Sequence, residues 1–212
     1  MRKEYANYGG DRPLYTLPPV MVLGGFTLDP TQKNLTSGVV IPFGTLVHID
    51  EQTRLAKLVK SARVTAIATD TKVVTLECDG VSQPLFVVGD KVVKDLSAKL
   101  ADTPSITAIT TSDTGMQVTL SKAITGLAIG DGLFEVVANG ENVKLVATPN
   151  AITIGEGYPC AEIKKQLADT TIDATRNSGN GEIYARRVPP VPASLMDGSV
   201  LRGTKVQYTN SL

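Results

Sequence analysis

Nucleophilic or metal chemistry in this 212-residue chain would have to be built from one histidine, His48, and two cysteines, Cys78 and Cys160. A Ser-His-Asp or Cys-His site needs its base within hydrogen-bond reach of the nucleophile. His48 lies in a strand-like run beside apolar residues, where a structural or surface histidine is the plainer expectation. A zinc site would require His48, Cys78 and Cys160 to converge from distant segments and to find a fourth ligand. Neither cysteine sits in a C-x-x-C or C-x-x-H setting, so both read as small buried thiols, with a disulfide between them as the alternative. Asp70, Asp113 and Asp131 stand in turns and lack the dense alternating carboxylates of a calcium loop. No G-x-S-x-G, Walker-type phosphate loop or H-E-x-x-H is present in the sequence. The expectation is a protein without a catalytic site, metal or cofactor. A hydrolase built on Asp70, Asp113 or Asp131 is the remaining enzymatic alternative.

Side chains suited to protein contact are easier to find. Residues 1–20 hold Tyr5, Tyr8, Arg12 and Tyr15 among glycines and prolines, with neither helical nor alternating period. Such a stretch is either a disordered tail or an extended arm that orders on a partner, with these four residues as anchors, because Tyr and Arg are enriched at interface hot spots. Tyr184, Arg186 and Arg187 form a second candidate patch, whose alternative is a solvated hairpin edge.

Composition narrows the partners. Lys plus Arg number 21 and Asp plus Glu 21, for a formal net charge of +0. That balance argues against non-specific nucleic-acid binding, which needs a basic surface, and it lowers the electrostatic barrier to self-association. The N-terminus has no apolar stretch of the kind a secretory signal carries, and no run approaches the roughly 20 apolar residues of a membrane helix. The expectation is a protein made in a cytoplasm, with no membrane partner.

The elements that must position these residues read as strands. Gly38-Val39-Val40-Ile41-Pro42-Phe43-Gly44-Thr45-Leu46-Val47-His48-Ile49 is β-branched and apolar with a kink at Pro-Phe-Gly, and 54–60 returns as its partner after a polar loop. A unit then occurs twice, over 62–93 and 104–136. Val64-Thr65-Ala66-Ile67, Asp70-Thr71, Val74-Thr75-Leu76 and Gly89-Asp90 reappear as Ile106-Thr107-Ala108-Ile109, Asp113-Thr114, Val118-Thr119-Leu120 and Gly130-Asp131. The offsets are 42 (Val64 to Ile106), 43 (Asp70 to Asp113), 44 (Val74 to Val118) and 41 (Gly89 to Gly130). Two copies are too few for a solenoid. Residues 95–102 are the best short-helix candidate, with a linker turn as the alternative, 161–167 are strand or helix, and 172–176 with 182–186 flank the loop signal Asn177-Ser178-Gly179-Asn180-Gly181 and predict a hairpin. A helical turn at 193–198 and a last strand at 205–208 complete the pattern.

The fold class expected is therefore mainly β. A β-sandwich or barrel base domain (21–61 plus 147–212) would carry an inserted, internally duplicated β-hairpin domain (62–146), preceded by the arm 1–20. One continuous β-sandwich is the rival. Insertion requires the chain to be close to itself near Ser61 and Val146.

The cadence of 38–47 with Arg54-Leu55-Ala56-Lys57-Leu58-Val59 resembles the compact β-fold of tailed-bacteriophage head decoration proteins. The repeated Val-Thr-Ala-Ile, Asp-Thr, Val-Thr-Leu, Gly-Asp pattern is similar to β-domains inserted in phage capsid and head-fibre proteins. The resemblance implies an auxiliary capsid protein on the virion exterior, made in the host cytoplasm. It would bind the major capsid protein or another head protein, self-associate as a homotrimer, and decorate or stabilise the shell. A β-rich receptor- or glycan-binding module is the alternative from another class.

Overall fold

The structure, a computed structural model, describes residues 14–22, 25–78, 83–112, 115–154, 160–175 and 181–210. It is mainly β. The N-terminal third gives β1 (Tyr15–Leu17), β2 (Phe26–Leu28), β3 (Val40–Ile41), β4 (Leu46–Asp50) and β5 (Leu55–Val59). The duplicated stretch gives β6 (Ser61–Ile67), β7 (Val73–Leu76), β8 (Lys91–Val93), β9 (Ile106–Ser112), β10 (Gly115–Leu120), β11 (Gly132–Asn139) and β12 (Asn142–Leu145). The remainder gives β13 (Ala151–Ile154), β14 (Ala161–Glu162), β15 (Thr171–Ala174), β16 (Gly181–Tyr184), β17 (Met196–Asp197), β18 (Val200–Leu201) and β19 (Val206–Thr209).

A closed barrel runs in the order β13-β15-β2-β5-β4. Its hairpin β4–β5 turns where the Asp50 carboxylate accepts the backbone N–H groups of Gln52 and Thr53, the side-chain-to-backbone capture that makes Asp a turn residue. Alternation along these strands sends Phe26, Leu28, Val47, Ile49, Ala56, Leu58 and Ile172 into one apolar core. The kink at Pro42-Phe43-Gly44 divides the long apolar run into β3 and β4.

The duplicated stretch closes a second ring. β6 pairs β7, β7 pairs β10, β10 pairs β9, β8 pairs β11 and β11 pairs β6. The remaining gap, β9 to β8, is bridged at Lys91 and Ser105. Equivalent residues meet face to face across the middle of this ring: Val74 pairs with Val118 and Val93 with Phe134. The same hydrogen bonds recur at the repeat offset. Val64 N–H donates to Asp131 O at 2.9 Å and Gly130 N–H to Val64 O at 2.8 Å; Ile106 N–H donates to Asp90 O at 2.9 Å and Gly89 N–H to Ile106 O at 2.8 Å. Thr65 and Thr107 each donate a hydroxyl across the hairpin at 3.1 Å. Gly89 and Gly130 have φ of 98° and 94°, which only glycine adopts without strain. Each Gly-Asp loop therefore docks on the first strand of the other copy, and the two copies fill one core with Val64, Val74, Leu76, Ile106, Val118 and Leu120.

On one edge of β11, Ser61 pairs with Phe134 and Leu145 with Val136, while β8 occupies the other edge at both positions. The chain enters and leaves the ring two residues apart along one strand. A third core joins everything: Phe43, Leu46 and Val59 pack with Phe134, Val136 and Leu145, and with Ile183, Leu201 and Tyr208.

The expected hairpin of 172–176 with 182–186 is not formed. β15 pairs with β13 and β2 in the first barrel, whereas β16 pairs with β1 and, in parallel, with β19. The reason is burial: Ile172 and Ala174 belong to the barrel core and Ile183 to the joining core, so the two segments serve different sheets. Of the short helix or linker turn expected over 95–102, the structure has turns: the Asp95 carboxylate captures the Ser97 N–H and ties 95–98 into one, and a 3-10 turn follows at Leu100–Asp102. Residues 161–167 give only the two-residue β14 before a 3-10 turn at Leu167–Asp169. The single helical turn at 193–198 is a 3-10 turn, Ala193–Leu195.

Candidate docking surface

β1 is the outer strand of the five-stranded sheet β1-β16-β19-β18-β17. Tyr15 pairs with Ile183 and Leu17 with Glu182, with an irregularity between them. Tyr184 N–H donates to Leu14 O at 3.0 Å and Thr16 Oγ1 donates to Glu182 Oε2 at 2.6 Å. These bonds fix one edge of β1; among the described residues no strand pairs with the other. All three residues of β1 are exposed, Leu17 at 49%, and Val20 and Met21 extend the apolar band. An open strand edge with exposed apolar side chains is a template for another chain, and proteins usually cover or charge it.

Of the four arm residues expected to anchor a partner, Tyr5, Tyr8 and Arg12 lie outside the described residues. Tyr15 lies on β1 with its ring centroid 6.2 Å from that of the buried Phe43. The second patch meets the first through the backbone, because Tyr184 ends the strand that holds β1. The Arg187 guanidinium stacks 4.5 Å from the Tyr184 ring centroid, a cation–π contact. Arg186 and Arg187 sit on a 3-10 turn pinned from below: Arg63 donates to Ala185 O at 3.0 Å and to Arg186 O at 3.3 Å, and pairs with Glu77 at 2.9 Å. A cleft beside this turn is lined by Arg63, Glu77, Arg186, Arg187, Pro189 and Pro190. Tyr15 and Tyr184 thus share one end of one sheet, although 169 residues separate them (184 minus 15).

The residues weighed for chemistry are scattered. His48 is on β4, and its Nδ1–H donates to Thr148 O at 2.8 Å. Cys78 lines the core of the ring, Cys160 lies in another segment, and no disulfide joins them. Burial pushes the Cys160 thiol up to about 12, which leaves it a poor nucleophile. The Asp70 carboxylate accepts the N–H groups of Lys72 and Val73 in its own turn. Asp131 accepts the Ala128 N–H at 2.9 Å and faces Lys94 at 3.3 Å. Asp113 lies outside the described residues. Among the described residues no group of three His, Cys, Asp or Glu side chains could hold a metal ion.

One cluster was not anticipated from sequence. Lys60, the single residue between β5 and β6, is fully buried between Asp90, 2.6 Å from its Nζ, and Glu135, 3.4 Å away. The signal was present in the sequence, since Lys60 follows Leu58-Val59 and Glu135 interrupts Leu133-Phe134 and Val136-Val137. A charge at such a place in an apolar strand needs a buried partner. Burial pushes the Glu135 carboxyl up to about 7; Lys60 opposes the rise and Asp90 adds to it.

The chain matches no protein-family model, no curated protein and no solved structure.

Proposed function

We propose that this chain is a structural virion protein that binds the outer surface of a phage capsid and decorates or stabilises the head. Its partners would be the major capsid protein or another head protein and further copies of itself, as a homotrimer, on the capsid exterior after synthesis in the host cytoplasm. What supports the role most is the open edge of β1: an exposed apolar strand, continuous with the Tyr- and Arg-bearing arm and flanked by the Tyr184–Arg187 stack. In a docked state that edge accepts a strand or buries Tyr15 and Leu17, and many modest contacts of this kind gain strength when several copies bind together. The division into a base (21–61 plus 147–212) and an inserted domain (62–146) belongs to the same proposal. The adjacent entry and exit points on β11 support it.

Immunogold electron microscopy tests the role. Antibody raised to the recombinant chain should label the head exterior of virions whose genome encodes it. Virions that carry no label, or label confined to the tail, would overturn the proposal.

A further inference from the structure

Lys60, Asp90 and Glu135 form a closed charged cluster where the first barrel passes into the second ring. Lys60 links β5 to β6, Asp90 ends the first Gly-Asp loop just before β8, and Glu135 is the fourth residue of β11. The Lys60 and Asp90 side chains are 0% exposed and that of Glu135 8%. Glu135 N–H also donates to Lys60 O at 3.0 Å, which ties the acid to the backbone of the lysine. A buried ion pair is costly to desolvate, and here a second carboxyl, Glu135, lies against it with its acid form favoured by burial and by Asp90. Among the described residues, Asp90 Oδ1 and Glu135 Oε2 have no hydrogen-bond partner while both acids are ionised, whereas a protonated Glu135 shares a hydrogen bond with Asp90.

The second copy of the repeat provides an internal contrast. Asp131 repeats Asp90 at the same loop position, and both accept the N–H three residues before them at 2.9 Å. Its lysine, Lys94, comes only to 3.3 Å, and both side chains are about one-third exposed. At the repeat offset of 41, the counterpart of Glu135 is Lys94 itself. The loop is shared by both copies, whereas the buried amine and second acid meet the aspartate of the first loop alone.

We propose that Lys60 and Asp90 condense into an intramolecular amide, with Glu135 as the catalytic acid–base. With the 2.6 Å contact between Nζ and Oδ2 and a C–O bond of about 1.2 Å, the carboxyl carbon lies at most about 3.8 Å from the nitrogen, close to the roughly 3–3.5 Å of a near-attack arrangement. A proton passes from Nζ to Glu135, 3.4 Å away, which hands its own proton to Asp90 Oδ1, giving a neutral amine, a neutral acid and a Glu135 still protonated. The nitrogen lone pair attacks Cγ and a C–N bond forms. Charge develops on Oδ2, which already accepts the Val87 N–H at 2.9 Å, a donor positioned as in an oxyanion hole. Glu135 takes a proton from the nitrogen and gives one to Oδ1, the C–Oδ1 bond breaks, and one water leaves. Glu135 ends protonated as it began, and no oxidant or other reactant is consumed. Its raised carboxyl range suits it to carry a proton near neutral pH. The product removes two buried charges, and exclusion of water from the site disfavours hydrolysis. The bond would fasten the end of the first barrel to the Gly-Asp loop of the ring.

Mass spectrometry of the intact, denatured full-length chain decides this. The expected mass is lower by one water than that of the sequence. Trypsin should release fragment 58–63, uncut after Lys60, joined to fragment 73–91. An unmodified mass with cleavage at Lys60 would overturn the proposal. So would loss of water confined to a linear fragment, which marks cyclisation of an aspartate. Glu135→Gln should restore the full mass and the cut at Lys60; a linked Glu135→Gln chain would remove Glu135 from the mechanism. The wild-type measurement stands by itself if that variant fails to fold.

Discussion

Glu135 shows how one residue couples this fold to pH. Its carboxyl sits at about 7 against an ordinary value of 4.5 because burial disfavours the charged form more than Lys60 favours it. The folded state therefore binds the Glu135 proton more tightly than the unfolded chain does. The stability that results is complete below about 4.5 and is lost as pH rises through about 7. Amide formation would keep this direction, since it takes away the ammonium that opposes the rise. From about pH 5 to about pH 8, the melting temperature of the wild type should fall relative to that of Glu135→Gln; parallel profiles would contradict the assignment. That Lys60 and Glu135 need buried partners was legible in the sequence, from charges set in apolar strands. Which partners they find was not, because residues 60, 90 and 135 meet only when the ring closes.

At the scale of elements, the two Gly-Asp loops form a matched pair inside one molecule. Both aspartates hold the same turn, so any difference between them reflects surroundings alone. Asp131→Ala removes a turn bond and an ion pair about one-third exposed to solvent, and should cost about 1 kcal/mol. Asp90→Ala leaves Lys60 buried without its aspartate, whether as ion-pair or amide partner, and should cost at least about 3–5 kcal/mol. Urea denaturation of the two variants measures the gap, and equal losses would show that the buried cluster adds nothing. The strands themselves were readable from alternation and turn residues: the β4–β5 hairpin and the hairpins of both repeat units stand where the sequence places them. Partner choice between distant strands was less readable. Residues 172–176 and 182–186 look like a hairpin locally, yet Ile172 and Ile183 are claimed by different cores. Burial overrides the local turn signal there.

Across the whole molecule, two closed β-rings with their own cores and a five-stranded sheet meet at a third apolar core, so the surface that remains for function is the periphery. Two peripheral features stand out. The tips Val88 and Ile129, 58% and 68% exposed, occupy equivalent places on the two Gly-Asp loops. The β1 edge, where Tyr15 and Leu17 meet the strand that bears Tyr184, gathers residues the sequence shows only as separate patches. Tyr15 and Tyr184 could not be joined from sequence, because the pairing of β1 with β16 spans nearly the whole chain. This edge is the proposed docking element of a capsid-bound protein. Leu17 contributes little to the core, so Leu17→Lys should change folding stability by no more than about 0.5 kcal/mol. The most direct measurement is rebinding of purified chain to phage heads that lack it, followed by co-sedimentation. The wild type should sediment with the heads to saturation, and Leu17→Lys should weaken binding about tenfold or more. A folded wild-type chain that stays in the supernatant, or a Leu17→Lys variant that binds as well as the wild type, would contradict the account.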